Sequence, residues 1–458
     1  MMTATAFLFA TISLLFCWAY ALTKDFLSPS CLVCESFILA FICALFSSHA
    51  GGWEFNVHTD TVFVIILGLI SFLLGSFLAK VKKNNVNYRE FRIERESIKP
   101  LEYSKVAMLV LLAIQCGIFV IFFFYWRRSN QQFSGLDWNA MMRMRRLTAS
   151  YGEGLEIEIP GIINQGLKLA KANAYIALYY LTHNIAVYCI NKKEKPRGIA
   201  IFSLIIFINL LFSILQSARY DILLMTIGGI TIWYTFYQYY SSILCEKSRN
   251  MRRAIAILAI IVFGMACLSS VLGTFVGRAT SDTILSEAYN YFGRTIQAFD
   301  VYLSNNTASS HQPETFFGIY KFLNQIGVID IPNFKIHLEF AGLDGNSLGN
   351  TYTVFRPYFN DFGIIGVVIL PFIEGWVMSI LYRIIKRPKI KELNMVLIIY
   401  SMIIPSSFFY GYSGFFFSTI LSINYLIIIT LTYIIAAILS KRIYVDRDLK
   451  LTIKKRNG

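Results

Sequence analysis

The chain has 458 residues, of which 56% are hydrophobic and 15% are charged, and its formal net charge is +15. A mean hydropathy of +0.56 leaves no room for a separate soluble domain, so we expect a single membrane domain over residues 1–458. The charged residues lie almost entirely between apolar segments. We therefore interpret the positive charge as a signal of membrane topology and do not expect nucleic acid as a partner.

Apolar segments recur about eleven times along the chain, and each is close to the length that an α-helix needs to cross hydrocarbon. They fall at residues 4–22, 31–48, 61–79, 105–126, 163–190, 199–215, 222–243, 254–276, 363–382, 394–410 and 415–440. The sequence thus predicts an all-α, polytopic integral membrane protein with about 11 transmembrane helices.

The gaps between these segments alternate in charge, and every second gap is rich in Lys and Arg. The basic gaps run from Lys80 to Lys99, from Lys192 to Arg197, from Lys247 to Arg253, from Arg383 to Lys391 and from Lys441 to Arg456. Because the number of spans is odd, all of these gaps fall on one side, which the positive-inside tendency makes cytoplasmic. We therefore expect the N-terminus outside the cytoplasm and the C-terminus inside it.

Two outward connections, residues 127–161 and 277–362, are too long to be simple turns, and we expect function to lie there. In the second, apolar residues recur at helical spacing over residues 284–299. This predicts an amphipathic helix that lies on the membrane surface or is folded back on the bundle. A broken apolar piece follows at residues 316–331, and a re-entrant segment is one interpretation of it.

Metal-ligating residues are sparse. Cys31 and Cys34 have the spacing of a metal or redox pair, but neither a second cysteine pair nor a histidine follows at ligand distance. Glu156 and Glu158 alternate in the first long connection, and two carboxylates supply too few oxygens for a metal ion. We expect no metal site.

Arginine prevails among the cations of the outward connections, whereas lysine outnumbers it in the cytoplasmic gaps. A planar guanidinium binds two phosphate oxygens at once and keeps its charge when partly desolvated, so an outer cavity that receives a diphosphate favours Arg over Lys. The competing interpretation pairs these residues with lipid phosphates or neighbouring acids. The candidate diphosphate ligands are Arg143, Arg219, Arg278, Arg294 and Arg356.

Three of the outward cations lie close to the ends of spans. Arg219 is in a short outer turn that holds its charge near the bundle, with Asp221 as the alternative partner. Lys168 and Lys171 are three residues apart in the outer part of the fifth segment and so share one helical face. Ionisable groups at such depth usually face a cavity or pathway, although both side chains are long enough to reach the interface. We treat both lysines as candidate substrate-binding residues.

The stretch over residues 346–363 is the most distinctive of the chain. It contains Asn350-x-Tyr352-Thr353 and then Asp361-x-Gly363, which continues to Gly366 at the start of the ninth segment. In these elements the chain resembles the Wzy-type oligosaccharide repeat-unit polymerases, which extend bacterial O-antigen and related surface polysaccharides. The layout is similar too, with many spans, an Arg-bearing short outer turn and two large outer loops. Arg143 and Gly154 also match the Arg-x10-Gly spacing of the first large loop in that family.

The resemblance implies a membrane glycosyltransferase of GT-C-like architecture in the bacterial inner membrane, with two large periplasmic loops and a periplasmic N-terminus. The donor it implies is an undecaprenyl-diphosphate-linked oligosaccharide, whose diphosphate is the leaving group, so no nucleotide or other cofactor is expected. A chain-length regulator, a repeat-unit flippase and membrane lipid are the further partners.

Joining lipid-diphosphate-linked oligosaccharides needs cations for the departing diphosphate, a base for the attacking sugar hydroxyl and groups that hold sugars. The candidate bases are Asp361, His337 and Glu287. The candidate sugar-binding residues are Asn350, Tyr352 and Tyr291. Asp361 also has a structural interpretation, as an acidic N-cap of the ninth span.

Two alternatives remain open. An O-antigen ligase would use the same donor but pass the glycan to the lipid A core. A flippase or other transporter of lipid-linked oligosaccharide would carry out no chemistry. Transporters usually bury ionisable residues near the bilayer midplane. Apart from Lys168 and Lys171 the predicted spans are almost uncharged, which favours an enzyme over a carrier.

Overall fold

The computed structural model describes residues 2–79, 98–134, 137–138, 140–142, 159–244, 284–305, 312–331, 338–343, 345–386, 393–439, 443–445 and 451–453. The described helices are α1 (Met2–Thr23), α2 (Pro29–Gly51), α3 (Thr59–Leu78), α4 (Lys105–Ser134), α5 (Gly161–Ile190), α6 (Ile199–Leu215), α7 (Arg219–Ile243), α8 (Ile284–Ser304), α9 (Phe317–Gln325), α10 (Phe355–Ile385), α11 (Met395–Ile403), α12 (Pro405–Phe408) and α13 (Ile423–Leu439). A π-helical turn occupies Phe416–Ile420. Two antiparallel pairs join β1 (Ala341–Leu343) with β2 (Asn346–Gly349) and β3 (Ile443–Val445) with β4 (Leu451–Ile453).

Apolar helices dominate the described part of the chain. Those long and apolar enough to cross a membrane are Ala4–Thr23, Pro29–Gly51, Thr59–Leu78, Lys105–Ser129 and Phe355–Ile385. Shorter apolar helices run over Ile199–Leu215, Met395–Phe408 and Ile423–Leu439. These features indicate a mostly helical membrane protein. The predicted span at residues 254–276 lies outside the described residues, and the number of eleven spans stays a prediction.

The helix α5 coincides with a predicted span but is less apolar than the helices named above. It packs against α6, α7 and α13, and all of its side chains over residues 172–180 are buried. Its Asn173 Nδ2 donates to Gln115 Oε1 on α4 (2.7 Å), and Gln115 Nε2 donates to the carbonyl of Ile205 on α6 (2.9 Å). A helix that faces protein rather than lipid tolerates polar residues when each finds a partner. The low hydropathy of α5 therefore follows from its central position.

The helices α3 and α10 pack with their backbones in direct contact. Gly75 faces the carbonyl of Phe372, and Gly375 faces the carbonyl of Phe72, so closely that a Cβ at either glycine would overlap the partner. Small residues that let backbones approach are a common feature of helix contacts in membranes. The two glycines therefore determine the packing of α10 against α3.

The first part of α10 is a separate half-helix over residues 355–362. Gly363 breaks the helix with φ 59° and ψ −148°, a conformation that glycine tolerates and residues with a Cβ do not. Phe355 packs directly against Gly68, about halfway along α3, so the half-helix begins within the bundle. The predicted start of the ninth span at residue 363 coincides with this break, whereas the half-helix before it was not predicted. Polar residues of the half-helix interrupt the apolar pattern on which that boundary rested.

The second long connection folds back on the bundle. Helix α8 occupies the predicted amphipathic segment and packs on α2, where a Cβ at Gly293 would overlap the backbone of Cys43. Ser47 of α2 donates a hydrogen bond to Asn290 of α8 (2.6 Å). Residues 316–331 hold the short helix α9, which has no buried side chain, rather than a segment inserted into the bundle.

Candidate functional site

Several segments converge at one end of the bundle, which we call the outer end. They are α8, residues 312–316, the β1–β2 hairpin, residues 350–354 and the half-helix 355–362. In the predicted topology this end faces the periplasm. All of these segments lie within residues 277–362, the second long connection, in which the sequence predicts function.

Arg356 is the central residue of this region and is only 1% exposed. Its Nε donates to Glu314 Oε2 (3.3 Å), and its Nη2 donates to Glu314 Oε1 (3.1 Å) and to Glu339 Oε1 (2.6 Å). The guanidinium carbon lies 4.5 Å from the ring centroid of Tyr302 and 3.9 Å from that of Tyr352. Carboxylates and aromatic faces compensate the loss of water around a buried cation. We call these five residues the outer cluster.

Arg356 is not a free cation. The outer cluster contains one guanidinium and two carboxylates, so a diphosphate would compete with Glu314 and Glu339 for it. Its Nη1 is buried and has no hydrogen-bond partner among the described residues, and this atom can still donate to a further acceptor. A role of Arg356 in diphosphate binding stays a prediction.

Glu314 has the clearest potential for proton transfer. Burial raises the pKa of its carboxyl to about 7; Arg356 opposes that effect, while the charges of Asp361 and Glu339 add to it. A carboxyl that titrates near neutral pH can accept and release a proton under physiological conditions, as a general base must. Its neighbour Glu339 is 43% exposed and connects the cluster with solvent.

Glu314, Glu339 and Tyr302 were not predicted from the sequence. Glu314 follows Pro313 in a turn-rich stretch, and no spacing links it to Arg356, which is 42 residues away. Their contact depends on how the chain folds back between α8 and the half-helix. Arg356 and Tyr352, both in the distinctive stretch, were the members of this cluster that the sequence indicated.

Asp361 fixes the segment that carries Glu314. Its carboxylate accepts hydrogen bonds from the backbone N–H groups of Glu314 (3.1 Å to each oxygen) and Thr315 (2.8 Å), and from Asn360 Nδ2 (2.9 Å). Tyr302 Oη donates to Asn360 Oδ1 (3.0 Å), which extends the network to α8. The N-cap interpretation of Asp361 was wrong, because its carboxylate accepts hydrogen bonds from the backbone of another segment and not from the helix that follows Gly363. Its role as a base stays a prediction, although these donors occupy its oxygens.

Other predicted residues of the second connection lie around the outer cluster. Arg294 Nη1 donates to the backbone carbonyl of Ser347 in β2 (2.8 Å) and so ties α8 to the hairpin. The ring of Tyr291 stacks on Tyr412 (4.6 Å between centroids). Asn350 lies in the bend after β2.

The structure leaves several predicted residues without a described side chain. Glu287 is in α8, but its side chain lies outside the described part of the structure. Arg143, Arg278 and His337 lie wholly outside the described residues. Their predicted roles are untested.

A second polar group lies at the starts of α5 and α7. Lys171 Nζ is 2.8 Å from Asp221 Oδ1, so the acid considered as the alternative partner of Arg219 pairs with this lysine. Lys168 is 8% exposed and has no hydrogen-bond or ion-pair partner among the described residues. Arg219 begins α7, and its side chain is not among those described. The structure thus brings together the Arg219 turn and both lysines that the sequence singles out.

Aromatic residues lie between this group and the outer cluster. The ring of Tyr220 stacks on Phe415 (4.1 Å between centroids), and Phe417 packs against Phe316 (5.5 Å) and Tyr358 (5.6 Å). The two polar groups therefore flank one aromatic segment, residues 415–417, at the same end of the bundle. Aromatic faces of this kind also suit sugar rings, which stack on them.

His58 is a further unpredicted feature of the outer end. Its Nδ1 lies 2.8 Å from Asp300 Oδ2, and its backbone N–H donates to Asp300 Oδ1 (2.8 Å). The side chain of His58 is 53% exposed. This pair connects α8 with the start of α3, and the carboxylate orients the imidazole as in other His–Asp pairs.

Among the described residues no three His, Cys, Asp or Glu side chains are grouped so that they could hold a metal ion. Comparison of the chain with models of protein families, with curated proteins and with solved structures gave no match. The outer end is therefore interpreted from its own chemistry.

Proposed function

We propose that the chain is a glycosyltransferase that joins polyprenyl-diphosphate-linked oligosaccharide repeat units into O-antigen or a related surface polysaccharide. The reaction would take place at the periplasmic face of the bacterial inner membrane. The observation that carries the proposal is Glu314, a buried carboxyl with its pKa raised to about 7 and held by Arg356. The resemblance of the 350–366 stretch supplies the substrate class.

In the proposed reaction a hydroxyl at the non-reducing end of one repeat unit attacks the anomeric carbon of the growing glycan. A glycosidic C–O bond forms, the bond from that carbon to the diphosphate oxygen breaks, and Glu314 accepts the hydroxyl proton. Arg356 holds the Glu314 carboxylate through two N–H groups, which limits its rotation. Asp361 holds the backbone of the same residue and is a positioning residue.

The leaving diphosphate needs positive charge that is not already neutralised. Lys168 is buried without a partner among the described residues, and Arg219 begins the helix on which Asp221 binds Lys171. We assign diphosphate binding to Lys168 and the Arg219 turn, on the far side of the aromatic segment from Glu314. This arrangement separates the base that serves the acceptor from the cations that serve the donor.

One observation favours the carrier alternative. Glu374 is fully buried within α10, where it accepts hydrogen bonds from Tyr358 Oη (3.2 Å) and Ser406 Oγ (3.2 Å). Buried acids inside spanning helices often mark ion or proton pathways. Glu374 is thus a buried ionisable group inside a span, as a carrier would have.

A reconstituted reaction separates the possible functions. The purified chain is incubated in detergent with polyprenyl-diphosphate-linked repeat units, with and without lipid A core, and the products are resolved by size. A ladder of longer lipid-linked glycans without core supports a polymerase. Product that forms only with core identifies a ligase. If neither condition gives product while vesicles containing the chain move the lipid-linked substrate between leaflets, the chain is a carrier.

A further inference from the structure

The bundle has a polar cavity of about 380 Å³ at its inner end, opposite to the outer cluster. Its walls come from the α1–α2 connection, from α7, and from the end of α10 with α11. The volume is within the range of about 300–1,000 Å³ that is usual for small-molecule sites. In the predicted topology the cavity opens toward the cytoplasmic leaflet.

A buried carboxylate forms the fixed part of the cavity. Asp25 is 2% exposed and accepts hydrogen bonds from Tyr234 Oη (2.9 Å), from the backbone N–H of Leu27 (3.1 Å) and from Tyr382 Oη. Lys386 Nζ lies 3.9 Å from Asp25 Oδ2 and 4.6 Å from the ring centroid of Tyr382. The negative charge of Asp25 is thus balanced by a lysine at the mouth.

Other polar groups of the lining remain available to a ligand. Tyr400 is fully buried, and its hydroxyl has no hydrogen-bond partner among the described residues. The side-chain amide of Gln238 is half-buried in the wall and likewise has no partner in the described part of the chain. The hydroxyls of Thr231 and Thr235 donate to carbonyls of their own helix, so their oxygens can still accept. This mixture of donors and acceptors suits a ligand with several hydroxyl groups.

The mouth of the cavity is positively charged. Lys386 is 38% exposed. Its ammonium group is the only cation among the described residues that line the cavity. Basic pockets between helices at the cytoplasmic side of a membrane attract anionic headgroups.

We propose that this cavity binds the headgroup of an anionic glycerophospholipid, with the phosphate at Lys386 and the glycerol hydroxyls at Tyr400 and Gln238. A phosphate ester of a polyol matches both the charge of the mouth and the mixed polarity of the interior. A lipid is favoured over free glycerol phosphate because the cavity lies at the ends of the apolar helices α1 and α10, which the predicted topology places at the headgroup region. The site is independent of the proposed polymerase chemistry at the outer end.

The test titrates the purified full-length chain in detergent with phosphatidylglycerol, phosphatidylethanolamine or sn-glycerol 3-phosphate and counts bound molecules by native mass spectrometry. We expect saturable binding of phosphatidylglycerol in preference to phosphatidylethanolamine. Lys386→Gln should weaken it roughly tenfold, since a charge-assisted contact with phosphate is lost. Tyr400→Phe should weaken it by about fivefold through the loss of one neutral hydrogen bond. Lys195→Gln, at an exposed lysine of the same end, serves as the control and should bind as the wild type does.

Gln238→Glu provides a second variant that leaves the buried floor intact, and its added charge should also weaken binding. Equal affinity for phosphatidylethanolamine, or unchanged binding in Lys386→Gln, Tyr400→Phe and Gln238→Glu alike, would overturn the proposal. Binding of sn-glycerol 3-phosphate that displaces the lipid would support the glycerophosphate chemistry and overturn its assignment to a lipid.

Discussion

The outer cluster and the inner cavity contain the same kinds of side chain in opposite arrangements. In the outer cluster the buried ion is Arg356, 1% exposed, and the partner nearest to solvent is Glu339, 43% exposed. In the inner cavity the buried ion is Asp25, 2% exposed, and its partner Lys386 is 38% exposed. Each end of the bundle thus pairs a buried ion with a partner nearer to the surface, and the outer cluster buries a second partner, Glu314, as well.

The sign of the buried charge decides how the surrounding tyrosines are used. Tyr302 and Tyr352 present their ring faces to the guanidinium, since a π face attracts a cation. Tyr382, together with Tyr234, points its hydroxyl at the Asp25 carboxylate, which accepts hydrogen bonds. The contrast teaches that a tyrosine pair can stabilise either sign of charge within one membrane protein.

The largest expected difference in the free energy of unfolding is between a variant that lacks the buried ion of one end and a variant that lacks the exposed ion of the other. Arg356→Ala leaves the carboxylates of Glu314 and Glu339 without their cation. We therefore expect a loss of about 3–5 kcal/mol in the free energy of unfolding. Lys386→Ala removes a partly exposed partner at 3.9 Å and leaves the three hydrogen bonds to Asp25 in place, so we expect a smaller loss of about 1 kcal/mol. Chemical unfolding of the purified variants in detergent measures both. Equal losses would show that the two ends do not differ as described.

The next effect concerns the tyrosines. Tyr382→Phe removes a hydroxyl that donates to a buried carboxylate and should cost about 1.5–3 kcal/mol. Tyr352→Phe keeps its ring face on Arg356 and loses only a hydrogen bond to the carbonyl of Glu339 (2.9 Å), so about 1 kcal/mol is expected. The same unfolding measurement tests the pair. A larger loss for Tyr352→Phe would contradict the distinction between ring faces and hydroxyls.

The helices could be predicted from the sequence to a larger extent than the residues of the two sites. The apolar runs of α1, α2 and α3 predicted those helices, because a span must be long and apolar wherever it meets lipid. The half-helix at residues 355–362 was missed, since its polar residues break the apolar run and its Gly363 kink has no periodic signature.

Among the site residues, too, those with a local sequence signal were predicted and those without one were missed. Arg356 and Asp361 were singled out from the distinctive stretch, whereas Glu314 was not, because a contact across 42 residues leaves no local pattern. Asp25 and Lys386 are separated by most of the chain, and only helix packing brings them within 3.9 Å. Side chains that act together through tertiary contacts are therefore the part that sequence periodicity does not reveal.

A further small effect on stability is expected at Asp361. Asn keeps one acceptor oxygen for the backbone N–H groups of residues 314 and 315, so Asp361→Asn should cost on the order of 1 kcal/mol. As a positioning residue it should lower polymer formation far less than the substitution Glu314→Gln does. Product formation and unfolding are measured on the same purified protein. Complete loss of polymer in a stably folded Asp361→Asn variant would return the role of base to this residue.

The most direct test of the account is the initial rate of polymer formation against pH, with purified chain and lipid-linked repeat units. Because the pKa of Glu314 is raised to about 7, the base is protonated and inactive below that pH. The wild-type rate should therefore rise as the pH passes through about 7 and then level off. Glu314→Gln should lower the rate by about a hundred- to ten-thousand-fold at every pH, while Glu54→Gln, an exposed acid of the same end, should match the wild type. A Glu314→Gln variant that makes polymer at the wild-type rate, with the same rise near pH 7, would contradict the account.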